Sequence, residues 1–335
     1  MKVVVTGGGG FIGSHLVKNQ LEKGREVVVV DINTQILDEI RDTPNLKVYD
    51  GDIRDISLME TVLEGAEWVF HLASAHLSVT LTDQDYYNIN VESLRKLVEL
   101  CHKIGVKRFI HCSSVGIYGE ITNPPADENS PCNPDLVYEK TKLEGEKTVL
   151  DYYRESGFPI VIVRPVWVYG PGCHRTEKLV KSIEKGRFLF IGNGETLRHC
   201  VYISDMISAF ELCALKDEAV GEAFIIGDNR AISINELIIN FSYAIDCDLP
   251  NIRIPLSLMY PICVFSEKMF MFLKKEPPFS RRSLKFFTNN TSFDISKAKK
   301  LLGYKPMVEL DEGLRRTYRW IKGDQKSVFE TGGIN

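Results

Sequence analysis

Val5–Leu16 reads VTGGGGFIGSHL, and its placement matters as much as its glycines. A β-branched run, KVVVT at Lys2–Thr6, enters the four glycines, and a helical apolar pattern leaves them. Glycines at positions 7, 10 and 13 let a backbone turn tightly and approach a pyrophosphate, whose charge is then met by free N–H groups at the helix N-terminus. The next apolar run, EVVVVD, ends in Asp31, about 20 residues on, where a carboxylate can hydrogen-bond an adenosine ribose. That carboxylate repels a 2′-phosphate, and no arginine follows it immediately. The spacing therefore predicts NAD rather than NADP.

Outward from this stretch, LKVYDGD, EWVFHLA, KRFIHCSS and PIVIVRP continue the apolar runs, and helical patterns such as Gln84–Ile104 separate them. Continuous apolar strands alternating with helices predict a parallel sheet covered on both faces. The fold class is α/β: a Rossmann-type doubly wound parallel sheet with a smaller C-terminal lobe. The expected dinucleotide domain takes residues 1–172 plus roughly 200–230. The lobe takes 173–199 and 231–321, with helices at Thr176–Lys185 and Ser233–Ile245, and 322–335 forms a flexible tail.

At 335 residues and 44% hydrophobic the chain can bury a sizeable core. A formal net charge of −4, with no block of like charges, favours neither a nucleic-acid partner nor an anionic membrane surface. Eight cysteines without a CxxC pair fit reduced thiols in a cytoplasmic protein, and no metal site is expected. The glycines interrupt the N-terminal apolar run, so no signal peptide is read. Pro255–Lys275 is apolar but broken by Pro261 and Ser266-Glu267-Lys268, so no transmembrane segment is expected. It reads either as a lobe helix or as a greasy surface for a lipid substrate or a bilayer.

Tyr138 and Lys142, in YEKTK, fall on one helix face. In isolation they read as an aromatic anchor beside a solvated lysine. Their company changes that. The ordered set TGGGGFIG, GDIRD, HLAS, SSVGIYG, YEKTK and RPVWVYGPG resembles the extended short-chain dehydrogenase/reductase family, in its NAD-dependent epimerase/dehydratase branch, from Lys2 to about Ile321. The resemblance implies NAD contacts by Gly7, Gly10, Phe11, Ile12, Gly13 and Asp31, with Asp52 and Ile53 by the adenine and Leu72 and Ala73 lining the cleft. It implies that Asn90 supports the site, that Tyr138 is the acid/base and that Lys142 is its partner, also holding the nicotinamide ribose. Ser114 would hydrogen-bond the reacting hydroxyl, while Ser113 satisfies nearby backbone. Bringing a phenol from a pKa near 10 to about 7 takes about 4 kcal/mol. An ammonium and a cationic nicotinamide supply it together.

Dehydrating members of the family carry an Asp-Glu pair after the serine, where this chain has Val115 and Gly116, so 4,6-dehydration is disfavoured. Arg198 stands at the spacing of an arginine that pairs a substrate diphosphate. Trp167 replaces the asparagine usual in sugar-nucleotide epimerases, and RRSLKFFTNN lacks their Arg-x-x-Asp pair. The run from Pro277 to Pro306 resembles 3β-hydroxysteroid dehydrogenase-like members. The leading expectation is a nucleotide-sugar 4-epimerase with Ser114, Arg198 and Trp167 at the substrate. The alternatives are a dehydrogenase of a steroid-like or isoprenoid alcohol, with Trp167 as a wall, and a non-catalytic NAD sensor. A homodimer through Gln84–Ile104 and Tyr138–Ser156 is expected.

Overall fold

The structure, a computed structural model, describes residues 1–76, 80–272 and 281–324, so most of the expected tail lies outside the described residues. The first half supplies β1 (Lys2–Thr6), β2 (Glu26–Asp31), β3 (Leu46–Asp50), β4 (Trp68–His71), β5 (Arg108–Cys112) and β6 (Ile160–Pro165). Four short strands follow: β7 (Trp167–Tyr169), β8 (Phe190–Ile191), β9 (Leu197–Arg198) and β10 (Cys200–Tyr202). Then β11 (Ala223–Ile226) returns to the main sheet, and β12 (Ile232–Ser233) and β13 (Arg253–Ile254) pair with β9 and β8.

The main sheet has seven strands in the order β3-β2-β1-β4-β5-β6-β11, and every neighbouring pair is parallel. Its order reverses between β1 and β4, which opens a ligand crevice at the C-terminal ends of those strands.

The helices are α1 (Phe11–Glu22), α2 (Ile56–Leu63), α3 (Asp83–Tyr87), α4 (Ser93–Ile104), α5 (Val137–Ser156), α6 (His174–Glu184), α7 (Ile203–Leu215), α8 (Ile234–Ile245), α9 (Leu256–Phe272), α10 (Arg281–Thr288) and α11 (Leu310–Ile321). Strand alternation divides the core in two. Val3, Val5, Val27, Val29 and Phe70 meet Leu16 of α1 and Phe210 of α7 on one face. Val4, Val28, Val30, Val69 and Phe109 meet Met59, Leu97 and Val149 of α2, α4 and α5 on the other. The helical stretch expected at Gln84–Ile104 is α3 and α4 joined by a π-helical turn at Asn88–Glu92, which buries Asn90.

Two polar arrangements are buried in this core. Arg164 of β6 grips Glu146 of α5 through Nε and Nη2, at 3.0 and 2.6 Å, and donates from Nη1 to the Tyr118 hydroxyl at 2.6 Å. Removing one partner leaves the other charge buried and unpaired. Glu146→Ala is therefore expected to lower unfolding free energy by about 3–5 kcal/mol in urea titration.

Behind the strand ends, His71 stacks on His111 with ring centroids 5.5 Å apart, and its Nδ1 meets the Thr6 hydroxyl at 2.8 Å. Burial, with Lys142 nearby, pulls His71 from 6.5 to about 3 and His111 well below its usual value. Both are neutral in the fold but protonate in the unfolded chain below about pH 6.5, so stability falls as pH drops through that value toward 3. The urea midpoint should fall between pH 7 and pH 5, and more gently in His111→Leu.

Candidate active site

The glycine turn is closed by backbone packed on backbone. Gly7 takes φ +74°, and a Cβ there would lie 2.5 Å from the Ala73 amide nitrogen. One on Gly13 would lie 2.1 Å from the Gly7 carbonyl. Gly10 is different, because a Cβ there meets only that carbonyl, at 3.3 Å, and faces open space otherwise. Gly10 caps α1 without a side chain, so the first-turn N–H groups of Phe11, Ile12 and Gly13 are left for an anion. The Asp31 carboxylate accepts from the Gly9 amide at 2.9 Å and the Asn33 amide at 3.1 Å, which holds it at the lip of the turn. These residues fit a dinucleotide: N–H groups for the pyrophosphate and an oriented acid for the ribose.

Across the switch point, β5 and α5 carry the second group of residues. Ser114 caps the short turn Val115–Tyr118 by accepting from the Gly116 amide at 3.0 Å, and its hydroxyl lies beside the Tyr138 phenol. Lys142, one turn further along α5, is buried and donates to the Cys112 carbonyl at 2.6 Å, at the end of β5. Burial pushes the Tyr138 phenol up, with the Ser114 hydroxyl opposing it, and pulls the Lys142 ammonium down. Both groups are thereby biased to their neutral forms. Asn90 ties the pieces together: it accepts from the Ala75 amide at 2.8 Å and donates to the Thr141 hydroxyl at 2.9 Å, joining the loop after β4 to α5.

The other expected residues lie as follows. Leu72 and Ala73 extend β4 beside Gly7, and Leu72 donates its amide to the Thr6 carbonyl at 2.9 Å. Ile53 is buried in the core, and Asp52 is paired with Arg54 at 2.6 Å, which holds its carboxyl below the usual range.

Arg198 is buried, and its guanidinium donates to the carbonyls of Lys285 (2.9 Å), Phe286 and Asn289 (2.8 Å) at the end of α10, and to the Thr291 hydroxyl (3.2 Å). Most of its donors are thus committed to protein oxygens. The Trp167 ring meets Phe286 edge-on at 5.9 Å, and its buried indole N–H has no partner among the described residues.

Two features were not anticipated. His76 sets its ring against Tyr138, with centroids 4.7 Å apart, at a position no motif marked. Ser113, expected to satisfy nearby backbone, keeps a buried hydroxyl with no partner among the described residues.

Asp31→Asn keeps the size but loses the charge. It is expected to weaken NAD binding by about ten-fold, the scale of one charged hydrogen bond, and to narrow the preference over NADP, read by fluorescence titration with both nucleotides.

Residues 3–227 match the NAD dependent epimerase/dehydratase family. The chain is 31% identical over 349 residues to a 3beta-hydroxysteroid-dehydrogenase/decarboxylase isoform 1 of Arabidopsis thaliana, covering 94% of this chain and 78% of that one. It is 27% identical over 328 residues to an N-acetyl-alpha-D-glucosaminyl-diphospho-ditrans,octacis-undecaprenol 4-epimerase of Escherichia coli O157:H7, covering 95% and 94%. A crystal structure of UDP-glucuronic acid 4-epimerase from Bacillus cereus in complex with NAD superposes with a TM-score of 0.78 at 26% identity, covering 96% of this chain and 99% of that one. A reversing parallel sheet, a dinucleotide cradle and a matched span of more than half its length make this chain a member of the NAD dependent epimerase/dehydratase family, with NAD as its cofactor.

Proposed function

We propose that the chain is a 4-epimerase of a diphosphate-linked sugar, with nucleotide sugars the leading substrates. The observation that carries this reading is the Ser114–Tyr138–Lys142 group set beside a position that lacks acid and base. Val115 and Gly116 supply no carboxylate, and a Cβ on Gly116 would press on Glu139 Cγ at 3.1 Å and Ser114 Oγ at 3.3 Å. The Glu139 carboxylate is itself occupied in capping α5, accepting from the Asp135 and Leu136 amides at 3.0 and 3.1 Å. A β-elimination has no proton acceptor there.

Bound NAD supplies the hydride acceptor and, on return, the donor. Tyr138 takes the proton of the C4 hydroxyl as the ketone forms and gives it back when the ketone is reduced on its other face. Ser114 holds the reacting oxygen. Lys142, anchored on the Cys112 carbonyl, places positive charge behind the site. Arg198 reaches a diphosphate only by exchanging carbonyls of α10 for phosphate oxygens.

That commitment favours a second reading, oxidation of an apolar alcohol such as a 3β-hydroxysteroid, for which Trp167 and Phe286 would form the wall. The chain is further taken to work in the cytoplasm as a homodimer through α4 and α5, which pack side by side on one face of the sheet. The eight free cysteines support the reducing compartment.

Proton NMR on nucleotide sugars with purified protein and NAD should show a C4 epimer appearing without NADH absorbance. In Tyr138→Phe turnover should fall by about 10²–10⁴-fold with NAD affinity unchanged. Accumulating NADH with 3β-hydroxysteroids, and unchanged sugars, would replace the first reading by the second.

A further inference from the structure

Helix α9 is apolar on both sides, and the protein covers only one of them. Met259, Cys263 and Ser266 are buried, the first two packing with Ile191 and Leu284. About a quarter-turn round the helix from these, Leu258, Ile262, Phe265 and Met269 recur at helical spacing and are exposed, Leu258 to 60% and Phe265 to 69%. Leu256 and Tyr260 are exposed elsewhere on the same helix, and Leu249 and Ile252 precede it. Those eight residues are close to half of the large apolar side chains exposed among the described residues, gathered in one stretch. Soluble surfaces rarely leave so much apolar area together without a partner.

Charge identifies the partner. Arg253 to Lys285 carries seven Lys and Arg against two Asp and Glu, although the whole chain is at −4. The whole-chain balance hides this local excess. Lys268 is exposed, whereas Arg253 donates to the Asn193 carbonyl and to Asn235 Oδ1, both at 3.1 Å, Arg281 is paired with Glu267 and Lys285 with Asp135. A second copy of α9 would bring like charges together across a two-fold axis. No described helix is long and apolar enough to cross a bilayer.

We infer that α9 lies in the interface of an anionic lipid bilayer, Leu258, Ile262, Phe265 and Met269 entering the acyl boundary while Lys268 meets lipid phosphates. This is the combination of apolar contact and basic rim that holds an interfacial helix. It does not depend on which substrate reading holds. It places the lobe that carries α10 and Arg198 at the lipid surface, because α9 packs on α10.

The test is flotation of the full chain with vesicles of phosphatidylcholine alone and of phosphatidylcholine with 30% phosphatidylglycerol, on the order of one anionic lipid in three as in polybasic recruitment. Binding to the anionic vesicles that weakens in high salt is expected. Ile262→Ser with Phe265→Ser should weaken it by about ten-fold or more, and Lys268→Glu should weaken it to a lesser degree, with NAD binding and melting temperature unchanged in both. No flotation of the wild type, equal flotation of the double variant, or a double variant whose only change is from dimer to monomer would overturn the inference. The last result would assign the stripe to a second copy.

Discussion

The absence of two Cβ atoms is the constraint on which this molecule depends. At Gly7 and Gly13 the first helix comes down onto the ends of β1 and β4 at backbone-to-backbone distance, and a methyl group at either would occupy space held by the Ala73 amide or the Gly7 carbonyl. This closeness aims the N-terminus of α1 at the crevice of the reversing sheet, where N–H groups and helix dipole act together on an anion. Asp31 is held by the same turn, through the Gly9 amide. The acid proposed to meet the ribose and the sheet topology therefore share one set of contacts.

The proposed catalytic group, Ser114, Tyr138 and Lys142, is built on the opposite side of the switch point by a different physics. Its residues come from a strand end and a helix that are apolar neighbours, so both ionisable groups are costly to charge. Burial raises the Tyr138 phenol and lowers the Lys142 ammonium. A resting phenol suits the step that returns a proton. The proton-removing step of the proposed reaction would need added positive charge, which a cationic nicotinamide would supply. The rigid elements around them, Asn90 on Thr141 and Glu146 on Arg164, keep the two side chains at fixed depth.

Much of this was legible because it is local. Glycine spacing, an acid ending the second strand and β-branched runs each report on a few neighbouring residues, and the resulting parallel sheet is the one expected. What escaped is long-range. The oxygens that hold Arg198 lie in residues 285–291, about ninety positions away in sequence, so no spacing rule could assign its guanidinium to the end of a helix. His76 meets Tyr138 from about sixty positions away in sequence. The π-helical turn that buries Asn90 is one extra residue in a helical pattern, too small a change of period to see. Helix α9 was readable as apolar but not as two-sided, because pattern alone cannot say which of two apolar faces the fold will cover.

The charge division along the chain has an orientational consequence. A segment with five excess positive charges in a molecule of net −4 makes the remainder strongly acidic, so the protein is an electric dipole as well as a weak anion. Near a negatively charged plane, one end is drawn in while the other is pushed away, and the resulting torque acts within about 8–10 Å, the screening length at cellular ionic strength. Such a molecule is turned before it touches, and its collisions with the surface are biased toward a single face.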